Sequence, residues 1–278
     1  MQARTCGGRW LLRIEDIDPP REQPGAAAVI VEALDSYGFE WDGDVIYQSQ
    51  SAARHRAAAA QLIDAGLAYH CGCSRQDLAG VRQGPLGPIY PGTCRAGSKS
   101  KRTSIRVRTN NEPIAFHDLL QGPQSQRLEG ESGDFVITRR DGLVAYHLAV
   151  VVDDFDQGVT QVVRGTDLLD STQRHIHLQR LLGYHTPEYV HIPVALNSAG
   201  QKLSKTTGAG PIPRGRPGPV LFAALRALRQ SPPDALCVAG VTDIWQWAME
   251  HWTLDTLSQQ RSIPQPANPM AESGNPLS

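Results

Sequence analysis

An apolar segment, Trp10 to Ile14, runs straight into an acidic loop that two prolines bring to a stop, Glu15-Asp16-Ile17-Asp18-Pro19-Pro20. The segment reads as a buried strand. A helix is predicted next, with Ile30, Ala33, Leu34 and Tyr37 at helical spacing and Gly38 at its end. A second helix is predicted from about Ala52 to Ala65, with Gly66 as its stop. Strand, helix and strand in this order predict a parallel sheet with crossover connections, the α/β class. In open sheets of that class ligands bind at the carboxyl ends of the strands, where the acidic loop lies.

With 278 residues the chain can bury a real core, as one large domain or two small ones. A net charge of −1 gives no overall field for nucleic acid. RNA binding would need a local face: Lys99, Lys101, Arg102, Arg106 and Arg108, or Arg139, Arg140, Arg214 and Arg216, all of which also suit a solvated surface. No apolar run is long enough to cross a bilayer and no signal segment follows Met1, so a cytoplasmic protein is expected. In a reducing compartment five cysteines argue against a disulfide framework and leave metal binding or inert burial.

The texture changes between Cys71 and Asp134, where glycines, prolines and short polar strands such as Ser104 to Arg108 read as an insertion between two halves of a nucleotide-binding sheet. Asp134 to Ile137, a turn at Arg140-Asp141-Gly142, and Leu143 to Val152 read as a hairpin feeding a buried strand. A helix is expected from near Asp167 to Gly183, then a strand, Tyr189 to Leu196, and modest helices from Pro217 to Leu257. The Pro-, Ser- and Asn-rich tail from Ser262 is expected to be disordered.

Four places carry possible chemistry. A carboxylate in the acidic loop can accept bonds from a substrate ammonium group, or form an ordinary surface turn. The guanidinium of Arg164, followed by Gly165, suits bidentate capture of a carboxylate. After a turn at Asn197-Ser198-Ala199-Gly200 comes Gln201-Lys202-Leu203-Ser204-Lys205-Thr206, whose two ammonium groups suit a phosphate chain with shifting charge, though exposed lysine pairs are commonly only solvated. Cys71, Cys73 and Cys94 could hold zinc with one more ligand, or be three buried or free thiols.

Taken together, Arg13-Ile14-Glu15-Asp16-Ile17-Asp18-Pro19-Pro20-Arg21, Tyr146-His147-Leu148-Ala149-Val150-Val151-Val152-Asp153-Asp154 and the lysine loop resemble the catalytic domain of class I glutamyl-tRNA synthetases. The lysine loop resembles their Lys-Met-Ser-Lys-Ser signature. Cys71, Cys73, Tyr90 and Cys94 match Cys-x-Cys … Tyr-x-x-x-Cys, the zinc pattern of the short glutamyl-queuosine tRNA(Asp) synthetases, with His70 the alternative fourth ligand. The resemblance covers roughly residues 1 to 260, and with few residues after the lysine loop no anticodon-binding domain is expected.

What the resemblance implies is specific. The fold would be a Rossmann-like class I catalytic domain with a small zinc-bearing insertion and a short helical C-terminal part. Residues 1–70 would be the first part of the nucleotide-binding domain, 71–133 the insertion, and 134–216 the second part with the lysine loop. Residues 217–260 would be helical, and 261–278 a disordered tail. Glutamate would be bound by Glu15, Tyr146 and Arg164, the tyrosine orienting it and the arginine reading its side-chain carboxylate. ATP would meet Lys205 and, as a second catalytic cation, Lys202. Magnesium would accompany ATP, without Asp153 and Asp154 as necessary ligands, and one zinc would be structural. The glutamyl group would pass to queuosine in the anticodon of tRNA(Asp), and a monomer is expected.

Family members begin with a strand and a loop resembling His-Ile-Gly-His that cradles ATP. Met1-Gln2-Ala3-Arg4 resembles the end of the helix after that loop, so the expectation is a gene start placed too late, with a true truncation as the alternative. Two other functions fit subsets of the residues: a metal-dependent phosphohydrolase using Asp16, Asp18, Asp153 and Asp154, and a non-catalytic tRNA-binding paralogue.

Overall fold

The structure is a computed structural model that describes residues 1–204, 207, 210, 212–213 and 215–266. Along the chain the elements are α1 (Gln2–Thr5), β1 (Arg13–Ile14), α2 (Ala26–Ser36), β2 (Ile46–Tyr47), α3 (Ala52–Asp64), β3 (Ala68–Cys71), β4 (Gln83–Gly84), β5 (Gly87–Pro88), β6 (Ser104–Val107), β7 (Pro113–Asp118), β8 (Gly122–Arg127) and α4 (Leu128–Glu131). Then come β9 (Val136–Thr138), α5 (Tyr146–Asp156), β10 (Gln161–Gly165), α6 (Thr172–Leu182), β11 (Glu188–Ile192), β12 (Val194–Leu196), α7 (Pro217–Ala227), α8 (Val241–His251) and β13 (Ser262–Pro264). Among the described residues no helix is long and apolar enough to cross a membrane.

The chain divides into two compact units. One comprises Met1–Leu12, Glu22–Val45 and the residues described from Ile192 onward; the other comprises Arg13–Arg21 and Ile46–His191. In the second unit β1 and β2 pair in parallel, Arg13 opposite Ile46. A four-stranded sheet has the order β10-β11-β7-β8, with β11 parallel to β7, and an antiparallel sheet has the order β3-β6-β9. Leu62, Val107, Ile137, Leu148, Val152 and Leu178 are fully buried in its core; each contributes about 1.5–3 kcal/mol by leaving water. In the first unit Tyr37 packs with Leu221, Leu225, Ile244 and Ala248.

The expected helix stops are where the chain needs them: Gly38, Gly66 and Gly183 all adopt φ near +70°, a conformation that lets the chain leave a helix without a Cβ clash. The hairpin before Tyr146 also forms, with the Arg139 amide donating to the Leu143 carbonyl at 2.7 Å and Gly142 at φ +88°.

Four expectations are corrected. Residues 146–156 form helix α5 rather than continuing a strand. The run from Leu148 to Asp153 is buried throughout, so no exposed face imprints a helical period on it, and a short apolar run is compatible with either element. The first strand is only Arg13–Ile14, because Trp10 exchanges its backbone bonds with Asp42, donating to the carboxylate at 2.8 Å and accepting from the amide at 2.8 Å. The strand expected over Tyr189 to Leu196 breaks at Pro193, which has no amide for a ladder. Ser262–Pro264, expected to lack structure, pair in parallel with Val194–Leu196 and bury Ile263.

Candidate functional site

Glu15 follows β1 at its carboxyl end, Tyr146 is the first residue of α5, and Arg164 lies in β10. All three belong to the second unit. Their proximity shows in electrostatics: Tyr146 feels the charges of Arg164, Glu15, Asp154 and Arg13, although burial is what chiefly lifts its pKa above the ordinary phenol value. Its hydroxyl has no hydrogen-bond partner among the described residues, so a substrate group can take it.

Arg13 joins the two sequence stretches. Its Nη2 donates to Asp154 Oδ1 at 2.7 Å and lies 3.5 Å from Glu15 Oε1, while Nη1 donates to Gln157. Burial pushes the Glu15 pKa up and Arg13 pulls against it, with Asp154 and Asp153 adding to the upward push. Forty per cent of the Glu15 side chain remains exposed, enough for a ligand to reach. Arg13 was not singled out from sequence, although it stands two residues before Glu15 in the quoted motif.

Arg164 sits in a cage of neutral acceptors. Nε donates to His191 Nε2 at 3.0 Å, Nη1 to His175 Nδ1 at 3.0 Å, and Nη2 to Thr172 Oγ1 at 2.8 Å and the Leu168 carbonyl at 3.3 Å. Of the five guanidinium donors, one N–H on Nη1 is left. The side-on fork expected for bidentate capture is therefore closed, because Nε and Nη2 are already committed. None of the caging histidines was legible beforehand; they lie far from Arg164 in sequence and form no motif.

The second constellation is built on β3 and the loops that follow it. Cys71, Cys73 and Cys94 bring their sulfurs within 4.8 Å of one another. Cys73 Sγ lies 3.6 Å from Cys94 Sγ, and Tyr90 Oη lies 3.3 Å from Cys71 Sγ and 3.6 Å from Cys73 Sγ. Tetrahedral zinc would place two thiolates about 3.8 Å apart and a thiolate and an oxygen about 3.5 Å apart, so this donor set fits. Burial pushes the Cys94 thiol up, but hydrogen bonds from Tyr90, the Gly72 amide and the other two thiols bring it down to about 7. Arg106 lies over the Tyr90 ring at 4.0 Å and donates from Nε to Cys71 Sγ at 3.3 Å. His70 turns to the opposite face of the strand, exposed, with Nδ1 3.0 Å from Thr103 Oγ1.

The acids of a phosphohydrolase are occupied elsewhere. Asp153 is buried between His55 Nε2 at 2.8 Å and Gln48 Nε2 at 2.7 Å. Asp16 accepts from the Ser49 amide and hydroxyl, Asp18 pairs with Arg139 and Arg21, and Asp154 pairs with Arg13. Among the described residues, Cys71, Cys73 and Cys94 are the one group of acids, histidines and cysteines arranged to hold a metal ion.

Lys202 lies in the first unit on a tight hairpin. Lys202 itself forms a single antiparallel bridge with Leu196, and the Leu203 amide donates to the Ala195 carbonyl at 2.8 Å. Lys205 and Thr206 lie outside the described residues, as does Arg214. At the helix end expected over Met1–Arg4, residues Gln2–Thr5 form helix α1.

Comparison with known proteins agrees with these motifs. The family "tRNA synthetases class I (E and Q), catalytic domain" matches residues 1–210. The glutamyl-Q tRNA(Asp) synthetase of Dechloromonas aromatica is 49% identical over 272 residues, 96% of this chain and 90% of its own length. The protein of the same name from Pseudomonas fluorescens is 48% identical, covering 95% of this chain and 88% of its own. Among solved structures, a glutamate tRNA ligase from Elizabethkingia meningosepticum in complex with its amino acid shares the fold, with a TM-score of 0.75 at 21% identity. That match covers 95% of this chain and 61% of the ligase, so the chain spans about three fifths of that protein's length.

Proposed function

For a chain that belongs to the class I glutamyl- and glutaminyl-tRNA synthetase family, in its glutamyl-Q tRNA(Asp) synthetase branch, we propose activation of glutamate with ATP and transfer of the glutamyl group to queuosine in the anticodon of tRNA(Asp). The observation that carries this reading is the shared electrostatic environment of Glu15, Tyr146 and Arg164, which supplies one anion and one cation for an amino acid bearing both charges.

Glu15 would accept from the substrate ammonium group. The side-chain carboxylate would be received by the remaining Nη1 N–H of Arg164, with the unpartnered Tyr146 hydroxyl as a second donor; the closed fork leaves this as the end-on alternative to side-on capture. The α-carboxylate then attacks the α-phosphorus of ATP. A carbon-bound oxygen gains a bond to phosphorus, the bond from that phosphorus to the bridging oxygen breaks, and pyrophosphate leaves. A hydroxyl of the acceptor nucleoside next attacks the glutamyl carbonyl, releasing AMP and a proton. Lys205 and Lys202 would offset negative charge as it builds on the phosphates, electrostatic work rather than proton transfer. Magnesium would accompany ATP and offset phosphate charge; Asp153 and Asp154, committed to other partners, need not be its ligands.

One zinc would be held by Cys71, Cys73, Cys94 and Tyr90, four protein donors with no open position, and so would shape the insertion rather than activate water. Structural zinc contributes roughly 10–16 kcal/mol of apparent binding energy at neutral pH, which suits a segment with few apolar residues of its own.

Glutamate-dependent exchange of labelled pyrophosphate into ATP tests the first step, and transfer of labelled glutamate to queuosine-bearing tRNA(Asp) tests the second. Phosphate release without glutamate, or tRNA binding without any exchange, would overturn the reading in favour of a phosphohydrolase or a non-catalytic paralogue.

A further inference from the structure

Arg164 has a feature that its proposed role in reading a carboxylate does not by itself require. Among the described residues it is in no ion pair, although a buried carboxylate lies one side chain away. His191 Nε2 accepts from Arg164 Nε at 3.0 Å, and on its other edge His191 Nδ1 lies 2.6 Å from Asp118 Oδ2. Both Asp118 and His191 are fully buried.

The hydrogen positions follow from these contacts. Arg164 can only donate, so His191 Nε2 must present a lone pair, and the ring proton must then sit on Nδ1 and point at Asp118. A doubly protonated ring would set an N–H against the N–H of Arg164. Asp118 is well placed to enforce this tautomer. Its Oδ1 accepts from the amides of Leu120 at 3.0 Å, Gln121 at 2.8 Å and His191 at 3.2 Å. Burial pushes its pKa up, but those bonds and His191 outweigh burial and hold it below the usual carboxylate value, so it stays ionised. His175, the other imidazole on Arg164, is kept neutral by burial and by the nearby positive charges of Arg164 and Arg174.

We infer that Asp118 and His191 are positioning residues for glutamate recognition: the Asp118–His191 pair fixes the imidazole as an acceptor that aims Arg164 while keeping the carboxylate out of direct contact with it. A carboxylate bound directly to Arg164 would neutralise the guanidinium and compete with the substrate's own. An imidazole between the two holds the side chain in place and leaves its positive charge for the ligand. The inference rests on the reading of Arg164 proposed above.

The test measures glutamate and ATP affinities by calorimetry on the full chain, with the His191 tautomer read from its ring 15N shifts. Asp118→Asn removes the charge that selects the Nδ1–H form, and an Asn amide facing the ring favours the opposite tautomer, as in catalytic triads. Glutamate affinity should fall roughly 10–100-fold, by analogy with loss of the partner that orients a metal-ligating side chain, with ATP affinity unchanged and the ring proton moved to Nε2. His191→Gln, whose amide oxygen can replace the Nε2 acceptor, should bind glutamate near the parent affinity, whereas His191→Leu should lose it. These two variants decide the matter if Asp118→Asn does not fold. Parent-like glutamate binding by Asp118→Asn or by His191→Leu, with Arg164→Lys still impaired, would overturn the inference alone. Parent-like binding by Arg164→Lys would instead overturn the assignment of Arg164 on which it rests.

Discussion

Arg13 and Asp154 meet at 2.7 Å with only 14% and 15% of their side chains exposed, an ion pair that ties strand β1 to helix α5. Glu15 lies two residues after Arg13 and Tyr146 opens the helix that carries Asp154, so the pair's geometry bears on where the proposed ammonium acceptor and the proposed orienting hydroxyl stand. Burial lifts the Asp154 pKa while Arg13 opposes that shift.

Arg13→Ala should therefore cost on the order of 3 kcal/mol in urea unfolding, because it strands a buried charge. It should weaken glutamate binding as well, through Glu15. The double variant with Asp154→Asn should lose less than the sum of the two single losses. Strict additivity would mean that the two side chains are neighbours without coupling.

Asp134 gathers an unusual number of donors. Arg95 reaches both oxygens at 2.7 Å, the Thr109 amide and hydroxyl reach Oδ1 at 2.8 and 3.0 Å, and Tyr69 donates to Oδ2. Burial pushes its pKa up, but the bonds win and hold it below the usual carboxylate value. A depressed folded-state pKa stabilises the protein fully above the unfolded value of about 3.9 and loses that contribution as pH falls through the folded value. Asp134→Asn should cost roughly 3 kcal/mol at neutral pH, and its stability should fall less steeply than the parent's under acid. Parallel stability curves for the two proteins below pH ~4 would remove Asp134 from the acid response.

The zinc assignment has a backbone test. Gly133 runs beside the Tyr90 backbone at φ +65°, and a Cβ there would lie 2.4 Å from the Tyr90 amide nitrogen and 2.6 Å from its carbonyl oxygen. Protein purified without added metal should carry close to one zinc per chain by elemental analysis. The content should drop sharply in Cys94→Ser and also in Gly133→Ala, which leaves every thiol in place. Retention of full zinc in Gly133→Ala would separate Tyr90 from the site.

Lys205→Ala should slow glutamyl-adenylate formation by on the order of 10²–10³ while leaving glutamate affinity nearly intact, since the loss falls on charge that develops only during reaction. Single-turnover exchange kinetics distinguish this from a binding defect, and an unchanged rate would remove Lys205 from the chemistry.

Much of the architecture was legible because local chemistry marks it. Gly38, Gly66 and Gly183 end helices where a left-handed turn is required, and the three cysteines, with Tyr90 added by the resemblance, anticipate a cluster that the fold closes. Residues 146–156 differ from the strand expected there because the run Leu148–Asp153 is buried throughout and so carries no amphipathic signature. Ser262–Pro264 were misread because composition reports the solubility of a segment, not whether a distant strand offers it a free edge. The support around Arg164 left no trace either: Asp118, Thr172, His175 and His191 sit on β7, α6 and β11, and only the tertiary fold brings them to one guanidinium.

The pairing of β12 with β13 has a consequence for how the protein is made. Val194–Leu196 form the stem of the lysine hairpin, yet their partner Ser262–Pro264 is among the last described segments to be synthesised. On the ribosome the stem emerges with one edge bare and waits for that partner, while Cys71, Cys73, Tyr90 and Cys94 have already left the tunnel. Assembly is thus ordered in time: the cysteine cluster is complete on the nascent chain before the hairpin that carries Lys202 acquires its second wall, which must wait until Ser262–Pro264 have been made.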